Sequence, residues 1–96
     1  MDRDVGEQEM VRREIDAAVD DEAPTGGRIT EYDERHLATY LRLLDAAAQR
    51  VHWKHGARNI LGRDPAEQTR RVKRCWDSHL KRARWISEHG YRQLLK

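Results

Sequence analysis

The sequence is poor in the residues that form disulfides, membrane spans and large cores. It contains one cysteine, two prolines and no phenylalanine among 96 residues. The lone Cys75 excludes an intramolecular disulfide and fits a reducing compartment. No apolar run approaches the roughly 18 residues of a membrane span, and the acidic start of the chain is unlike a signal or transit peptide. These absences predict a small, soluble, cytoplasmic protein.

Charge is abundant, and its two signs are separated along the chain. Residues 1–34 hold 12 acidic and four basic residues, a net of −8, whereas residues 35–96 hold five acidic and 15 basic residues, a net of +10. A stretch with proline and paired glycines lies near the end of the acidic part and interrupts any helix there. We therefore predict an acidic arm at residues 1–30, which is disordered or forms a transient helix, and a single basic domain at residues 31–96.

Hydrophobic spacing predicts an all-α domain, because no stretch alternates with the period of a strand. Thr30 fits the N-cap of a first helix that runs to about Arg50. The predicted apolar face of this helix contains Leu37, Tyr40, Leu41, Leu44, Ala47, Ala48 and Val51. A short second helix is predicted over residues 53–61, and Gly62 is suited to terminate it.

A long third helix is predicted to follow a tight turn. Asp64 fits its N-cap, Pro65 its first helical position and Glu67 a capping box. No helix breaker follows until Gly90, and apolar residues recur at helical spacing along the whole stretch. The order of a helix, a short helix and a long third helix predicts a small helical bundle with a helix-turn-helix-like core.

One face of the predicted third helix is strongly basic. It holds Arg70, Arg71, Lys73, Arg74, Lys81, Arg82 and Arg84. Asp77 is the single acid among them. Such a face can neutralise the phosphates of a nucleic acid, or it can be a solvated surface. We expect residues 1–30 to lie across or near this face, and so to weaken any binding to DNA.

Trp85 falls on the basic side of this helix, although a small domain needs its aromatic residues for the core. Two interpretations stay open. The end of the chain can fold back so that Tyr91 or Leu95 covers Trp85, or Trp85 can be an exposed anchor for another protein. In both cases the apolar end of the chain helps to build a surface around Trp85.

The sequence predicts neither a catalytic site nor a metal site. The consecutive Asp-Ser-His at residues 77–79 cannot form a triad, because successive helical positions diverge by about 100°. Cys75 and His79, one helical turn apart, are interpreted as a buried thiol beside a hydrogen-bonded histidine. His36 and His89 are expected at the surface. We therefore expect no enzymatic activity and no cofactor.

Two stretches carry a resemblance to a known family, namely "WKHGARNILG" at residues 53–62 and "DPAEQTRRVKRCWDSHLKRARWISEHGYRQLL" at residues 64–95. They resemble a proteobacterial helix-turn-helix-variant domain found in regulators of integrative and conjugative elements. As a whole, the chain resembles the short QseM-type antiactivators of this family. The resemblance implies a helix-turn-helix with an extended turn between its second and third helices.

The resemblance also implies a partner. Short members of the family would bind the N-terminal domain of a transcriptional activator and so block expression of transfer genes. The residues that we expect at or beneath the binding face are Trp85, Tyr91, Leu94 and Leu95, extended by His36 and Tyr40. This interpretation predicts a monomer with weak or no DNA binding and no contact with membranes.

The alternative interpretation is a small DNA-binding repressor. Its candidate DNA-binding residues are Glu67, Gln68, Arg70, Arg71 and Arg74. In that case the arginines near the start of the third helix would enter the major groove or bind phosphates, with Glu67 and Gln68 nearest the bases. The two interpretations differ in which surface of the same helical domain is used.

Overall fold

The computed structural model describes residues 18–95, and this part of the chain is helical. Its four main helices are α1 (Glu31–Arg35), α2 (Leu37–Ala48), α3 (Trp53–Asn59) and α4 (Thr69–Trp85). A π-helical turn at Ile86–Gly90 then joins α4 to the short helix α5, Tyr91–Leu94. Residues 18–95 contain no strand, so the prediction of an all-α fold is confirmed.

The predicted first helix is divided in two by a turn at His36. Thr30 caps α1 as expected, because its hydroxyl accepts from the Asp33 amide at 3.1 Å and its own amide donates to Asp33 Oδ2 at 2.9 Å. Helix α2 ends at Ala48 and not at Arg50, which has a φ of 59°. A left-handed residue at that position reverses the chain and ends the helix.

The buried face of α2 is rotated by about one residue from the predicted face. Leu43, which the prediction left out, is completely buried, whereas Leu41 is 68% exposed and Val51 is 38% exposed. Because leucine occupies positions 41, 43 and 44, the sequence pattern is apolar both on the predicted face, with Leu41, and on the observed face, with Leu43. Contact with α4 selects the face that contains Tyr40 and Leu43.

The connection between α3 and α4 is longer than predicted. The prediction that Asp64 caps the third helix is wrong, because α4 begins at Thr69. Asp64 instead closes a turn: its carboxylate accepts from the Ala66 amide at 2.9 Å, and its carbonyl accepts from the Glu67 amide at 3.2 Å. Aspartate before proline suits a turn as well as a helix start, and burial of Pro65 stabilises the turn here.

Helix α4 lies at the centre of the domain, with α2 and α3 both packed against it. Helix α3 approaches closely at Gly56, where a β-carbon would lie 2.3 Å from a ring carbon of Trp76. After α3, Gly62 has a φ of 66°, which confirms its role in ending that helix. The core between these helices includes Leu43, Trp76 and Ala83.

Residues 18–30 form an extended segment that packs on α4, and we call it the strap. Val19 and Ala23 of the strap are buried, at 7% and 6% exposure. The Ala23 amide donates to Ser78 Oγ at 3.1 Å, which ties the strap to α4. The prediction that the domain begins at residue 31 is therefore wrong, because the strap is part of the folded domain. The prediction of disorder for residues 1–17 lies outside the described residues.

Candidate protein-binding corner and the basic helix

The end of the described chain forms an exposed apolar corner. We define the C-terminal corner as Trp85, the π-helical turn, α5 and Leu95. Its outermost side chains are Leu95, just after α5, at 78% exposure, and Tyr91 at 43% exposure, while Leu94 packs partly against the core. Helix α5 is held in place by Gln93, which accepts from the Ile29 amide at 2.8 Å and donates to the Gly27 carbonyl at 3.0 Å.

Trp85 is half-buried, and residues of α4, the strap and the π-helical turn lie around its indole ring. The Arg82 guanidinium lies 4.3 Å from the centre of the indole ring. On another side the backbone of Gly90 approaches so closely that a β-carbon there would lie 2.6 Å from the ring and 3.1 Å from Ile29. Glycine is therefore required at position 90. Of the two interpretations, the chain does fold back onto Trp85, and the contact that the structure shows is with Gly90.

A cavity of about 300 Å³ opens beside Trp85, between the strap and α4. Ala23, Pro24 and Thr25 line its strap side, and Lys81 lines its α4 side. The corner therefore combines two exposed side chains, Tyr91 and Leu95, with an indole ring that lines this cleft. Segments of π-helix are rare and frequently mark functional sites, and the only one in residues 18–95 lies in this corner.

Two predicted partner-binding residues do not lie on the surface. His36 is 3% exposed and Tyr40 is 2% exposed, so neither side chain can contribute to a binding face. The expectation that His36 is a surface residue is also wrong. The turn between α1 and α2 directs His36 inward, where its ring lies 4.2 Å from that of Tyr32.

A buried ion pair joins α1, the strap and α4. Arg82 Nε and Nη2 donate to the two carboxylate oxygens of Asp33 at 3.0 and 2.7 Å, and both side chains are almost fully buried. Arg82 also donates to the carbonyls of Gly26 and Arg28 in the strap, at 2.5 and 2.7 Å. Burial raises the pKa of the Asp33 carboxyl, but hydrogen bonds from Arg82, Thr30 and Tyr40 outweigh it and the pKa is lowered.

The basic face of α4 is consequently smaller than predicted. Arg82 belongs to the core, and Lys73 donates to Asp77 at 2.6 Å. The DNA-binding candidates Glu67, Gln68, Arg70, Arg71 and Arg74 are all exposed, in the turn before α4 and in its first two turns. Gln68 accepts from Arg71 at 2.9 Å, so its side chain is directed along the protein surface.

Acidic residues of the strap lie against these arginines. Asp21 accepts from Arg63 Nη1 at 2.6 Å and from Arg71 Nε at 2.8 Å. Glu22 lies 3.9 Å from Arg74. Hydrogen bonds from Arg71, and then from Arg63, lower the pKa of Asp21. The strap thus places carboxylates on the amino-terminal half of the basic face, where the charge split of the sequence suggested that the arm would lie.

A second buried polar cluster surrounds His79 of α4. His79 Nδ1 donates to the Cys75 carbonyl at 2.7 Å, so Nε2 accepts from the Tyr32 hydroxyl at 2.5 Å. The Tyr32 hydroxyl in turn accepts from the Asp20 amide at 3.0 Å. This arrangement requires a neutral histidine. Burial lowers the pKa of His79, and burial followed by the charge of Arg35 lowers the pKa of His36.

We expect the two buried histidines to make the domain less stable in mild acid. In the unfolded chain they titrate near 6.5, so below that pH the unfolded state binds more protons than the folded state and unfolding becomes more favourable. The midpoint of urea unfolding should be constant between about pH 7.5 and pH 8 and should fall as the pH drops from 6.5 to 5.

The matched control for this pH effect is His89→Gln, because His89 is exposed on the π-helical turn. This variant should show the same pH dependence as the wild type, whereas His36→Leu should show a weaker dependence. A urea midpoint that stays flat from pH 8 to pH 5 in the wild type would contradict the assignment of neutral buried histidines.

The same cluster contains a cysteine and a histidine, the residue types of a nucleophilic site, but both side chains are buried and contribute to the core. Cys75 Sγ lies 3.7 Å from His79 Nδ1, and both side chains are completely buried. Burial raises the pKa of the Cys75 thiol, and Nδ1 is already engaged by the Cys75 carbonyl. The interpretation of a buried thiol beside a hydrogen-bonded histidine is confirmed. Over residues 18–95, no three histidine, cysteine or acidic side chains are grouped so as to hold a metal ion.

Comparison with known proteins leaves the family resemblance as a prediction. No protein-family model matches the chain, and no curated protein matches it either. Within residues 18–95, no helix combines the length and the apolar character that are needed to cross a bilayer.

Three residues that organise these surfaces were not identified from the sequence: Asp33, Asp21 and Gln93. Asp33 follows the predicted N-cap Thr30 by three residues, and nothing local in the sequence shows that it is buried. Asp21 carried a signal, since it belongs to the acidic segment whose charge complements α4. Gln93 carried none, because its partners in the strap are more than 60 residues away in the chain.

Proposed function

We propose that this protein is a non-enzymatic antiactivator, which binds the N-terminal domain of a transcriptional activator through the C-terminal corner and blocks its action. In this proposal it acts in the cytoplasm as a monomer and represses transfer genes of a conjugative element. The observation that carries the proposal is the exposure of Tyr91 and Leu95 at a helix end that Gln93 bonds to the strap, in the same corner as Trp85, which lines a cleft.

The physical logic is competition for a binding surface. A small domain that reproduces one half of an intramolecular interface can displace that half from the activator. Aromatic residues are enriched at the energetic centres of such contacts, and a contact of ordinary size buries about 800 Å² on each partner. The corner offers one exposed aromatic side chain, one exposed leucine and a cleft for a partner side chain.

The charges on α4 favour this proposal over the DNA-binding repressor. A repressor needs the arginines near the start of α4 to contact the major groove or phosphates. Here Arg71 is bonded to Asp21, and Glu22 lies near Arg74. The carboxylates that lie among these arginines would repel a phosphate backbone, whereas nothing in residues 18–95 covers the outer faces of Tyr91 and Leu95.

The test is co-purification of the full chain with the N-terminal domain of a candidate activator. We expect Tyr91→Ala and Leu95→Ala each to weaken capture by about fivefold to thirtyfold, since anchor residues contribute about 1–2 kcal/mol each. Loss of inhibition in a transcription reporter should follow the loss of capture.

Leu41→Ala is the matched control, because Leu41 is 68% exposed on α2, outside the corner. It should leave capture and inhibition unchanged, and all three variants should keep the wild-type melting temperature. Capture that survives both corner substitutions, or that is lost equally with Leu41→Ala, contradicts the proposed face. A sequence-specific gel shift by the wild-type protein, abolished by Arg74→Ala, would favour the repressor.

A further inference from the structure

Arg63 and Arg71 both bind the Asp21 carboxylate, as two arginines would bind an anion in an anion-binding site. Arg63 and Arg71 reach the two different oxygens of the Asp21 carboxylate, at 2.6 and 2.8 Å, and Arg63 also donates to the Val19 carbonyl at 2.6 Å. Guanidinium groups bind phosphate with the same forked geometry that they use for carboxylate. Asp20, Asp21 and Glu22 share one surface depression with Arg70, Arg71 and Arg74.

We propose that Arg63, Arg71 and Arg74 form a phosphate-binding cluster for the backbone of duplex DNA, and that the strap carboxylates occupy this cluster as an internal competitor. The strap is in this view an autoinhibitory contact that keeps the domain off DNA. The proposal concerns a surface other than the C-terminal corner, so it stands whether or not the corner binds an activator.

The shape of the positive surface favours duplex DNA over an acidic peptide. Other exposed basic residues of α4 are Arg70 near its start and Lys81 and Arg84 towards its end. A helix of 17 residues is about 25 Å long at 1.5 Å per residue. A duplex presents a continuous row of phosphates over such a distance. A single acidic side chain of a peptide would satisfy the cluster but not the rest of the row.

The strap carboxylates can yield to phosphates without unfolding the domain. Asp21 and Glu22 are 45% and 63% exposed, and ion pairs that are open to water are weak and screened by salt. The strap is anchored separately, by burial of Val19 and Ala23 and by the hydrogen bonds of Arg82 to its backbone. Deletion of the whole arm would remove these anchors, so point substitutions are the appropriate test.

The experiment compares two full-length variants of equal net charge. Asp21→Asn with Glu22→Gln removes the competing carboxylates, whereas Glu34→Gln with Glu88→Gln removes two exposed carboxylates elsewhere. The probe is a short fluorescent duplex DNA of arbitrary sequence, and the measurement is its anisotropy across a salt series. Circular dichroism verifies that both variants are folded.

We expect the strap variant to bind the duplex at least tenfold more tightly than the control variant at low salt. Its plot of log affinity against log salt should be steeper by about two, because each phosphate neutralised adds about 0.9 to the slope. The single Glu22→Gln should give a smaller change in the same direction. Equal affinity and equal slope for the two double variants would overturn the proposal. So would a strap variant that binds polyglutamate as tightly as it binds the duplex.

Discussion

Arg82→Ala is expected to remove a large fraction of the free energy of unfolding of the domain. Removing one partner of a buried ion pair costs about 3–5 kcal/mol, because the other charge stays buried without compensation. Here Asp33 would keep its position beneath the strap, and the carbonyls of Gly26 and Arg28 would lose their donor as well. A domain of this size has a total stability of roughly 4–12 kcal/mol. Urea unfolding followed by circular dichroism measures the loss.

Arg84→Ala is the control for Arg82→Ala, because Arg84 lies two residues later on the same helix and is exposed. Its effect should stay within about 0.5 kcal/mol. The double variant Arg82→Met with Asp33→Asn should lose less than the sum of its single variants, since neither charge is then left alone. A loss below about 1 kcal/mol for Arg82→Ala would show that the ion pair does not hold the strap.

Gly56→Ala is expected to destabilise the domain although alanine is the better helix former. The added β-carbon would lie 2.3 and 2.4 Å from two ring carbons of Trp76, which is itself 4% exposed and cannot turn away. Overpacking of this kind costs about 1–3 kcal/mol, and the gain in helix propensity returns about 1 kcal/mol. With so close an approach we expect a net loss of about 1–2 kcal/mol, or roughly 4–16 °C in melting temperature.

Gly27→Ala is the control for Gly56→Ala, since nothing lies within 4 Å of a β-carbon at Gly27. It should leave the melting temperature unchanged or raise it slightly, because alanine restricts the unfolded chain. Trp76→Phe should partly rescue Gly56→Ala, because the smaller ring leaves room for the methyl group. A Gly56→Ala variant that melts above the wild type would show that α3 can move away from α4.

Arg82 and Gln93 connect the strap to the C-terminal corner, so a change in one of these two parts is expected to affect the other. Arg82 bonds the strap backbone and also packs under Trp85, and Gln93 bonds the strap from α5. The proposed partner face and the proposed DNA-masking contact therefore depend on one positioned segment. A change that frees the strap is expected to alter both surfaces, whereas Asp21→Asn should affect the DNA surface alone.

Local chemistry made several elements predictable. Thr30 caps α1 because its side chain bonds an amide three residues away, and Gly62 ends α3 because glycine accepts a positive φ. Both effects involve near neighbours in the chain. The start of α4 was predicted wrongly because Asp64 and Pro65 suit two local structures, and the burial of Pro65 stabilises the turn.

The candidate surfaces were predictable only in outline. Charge separation suggested that acidic residues would lie near the basic helix, and the apolar chain end suggested a surface at Trp85. The particular contacts, such as Asp21 with Arg63, join residues more than 40 positions apart. Many different ion pairs between the acidic and the basic residues would be equally compatible with the sequence, so the sequence pattern does not predict which ones form.

The sequence by itself determined that this protein is helical, where its main helices lie approximately, and that its charge is divided between an acidic and a basic part. Periodicity, capping and composition act over a few residues and can therefore be read directly. Only the tertiary structure decided that residues 18–30 belong to the domain, that Arg82 and His36 are buried, and that Tyr91 and Leu95 remain exposed. Burial is a property of packing between distant segments, and it decides whether a charged or aromatic side chain stabilises the core or is available to a partner.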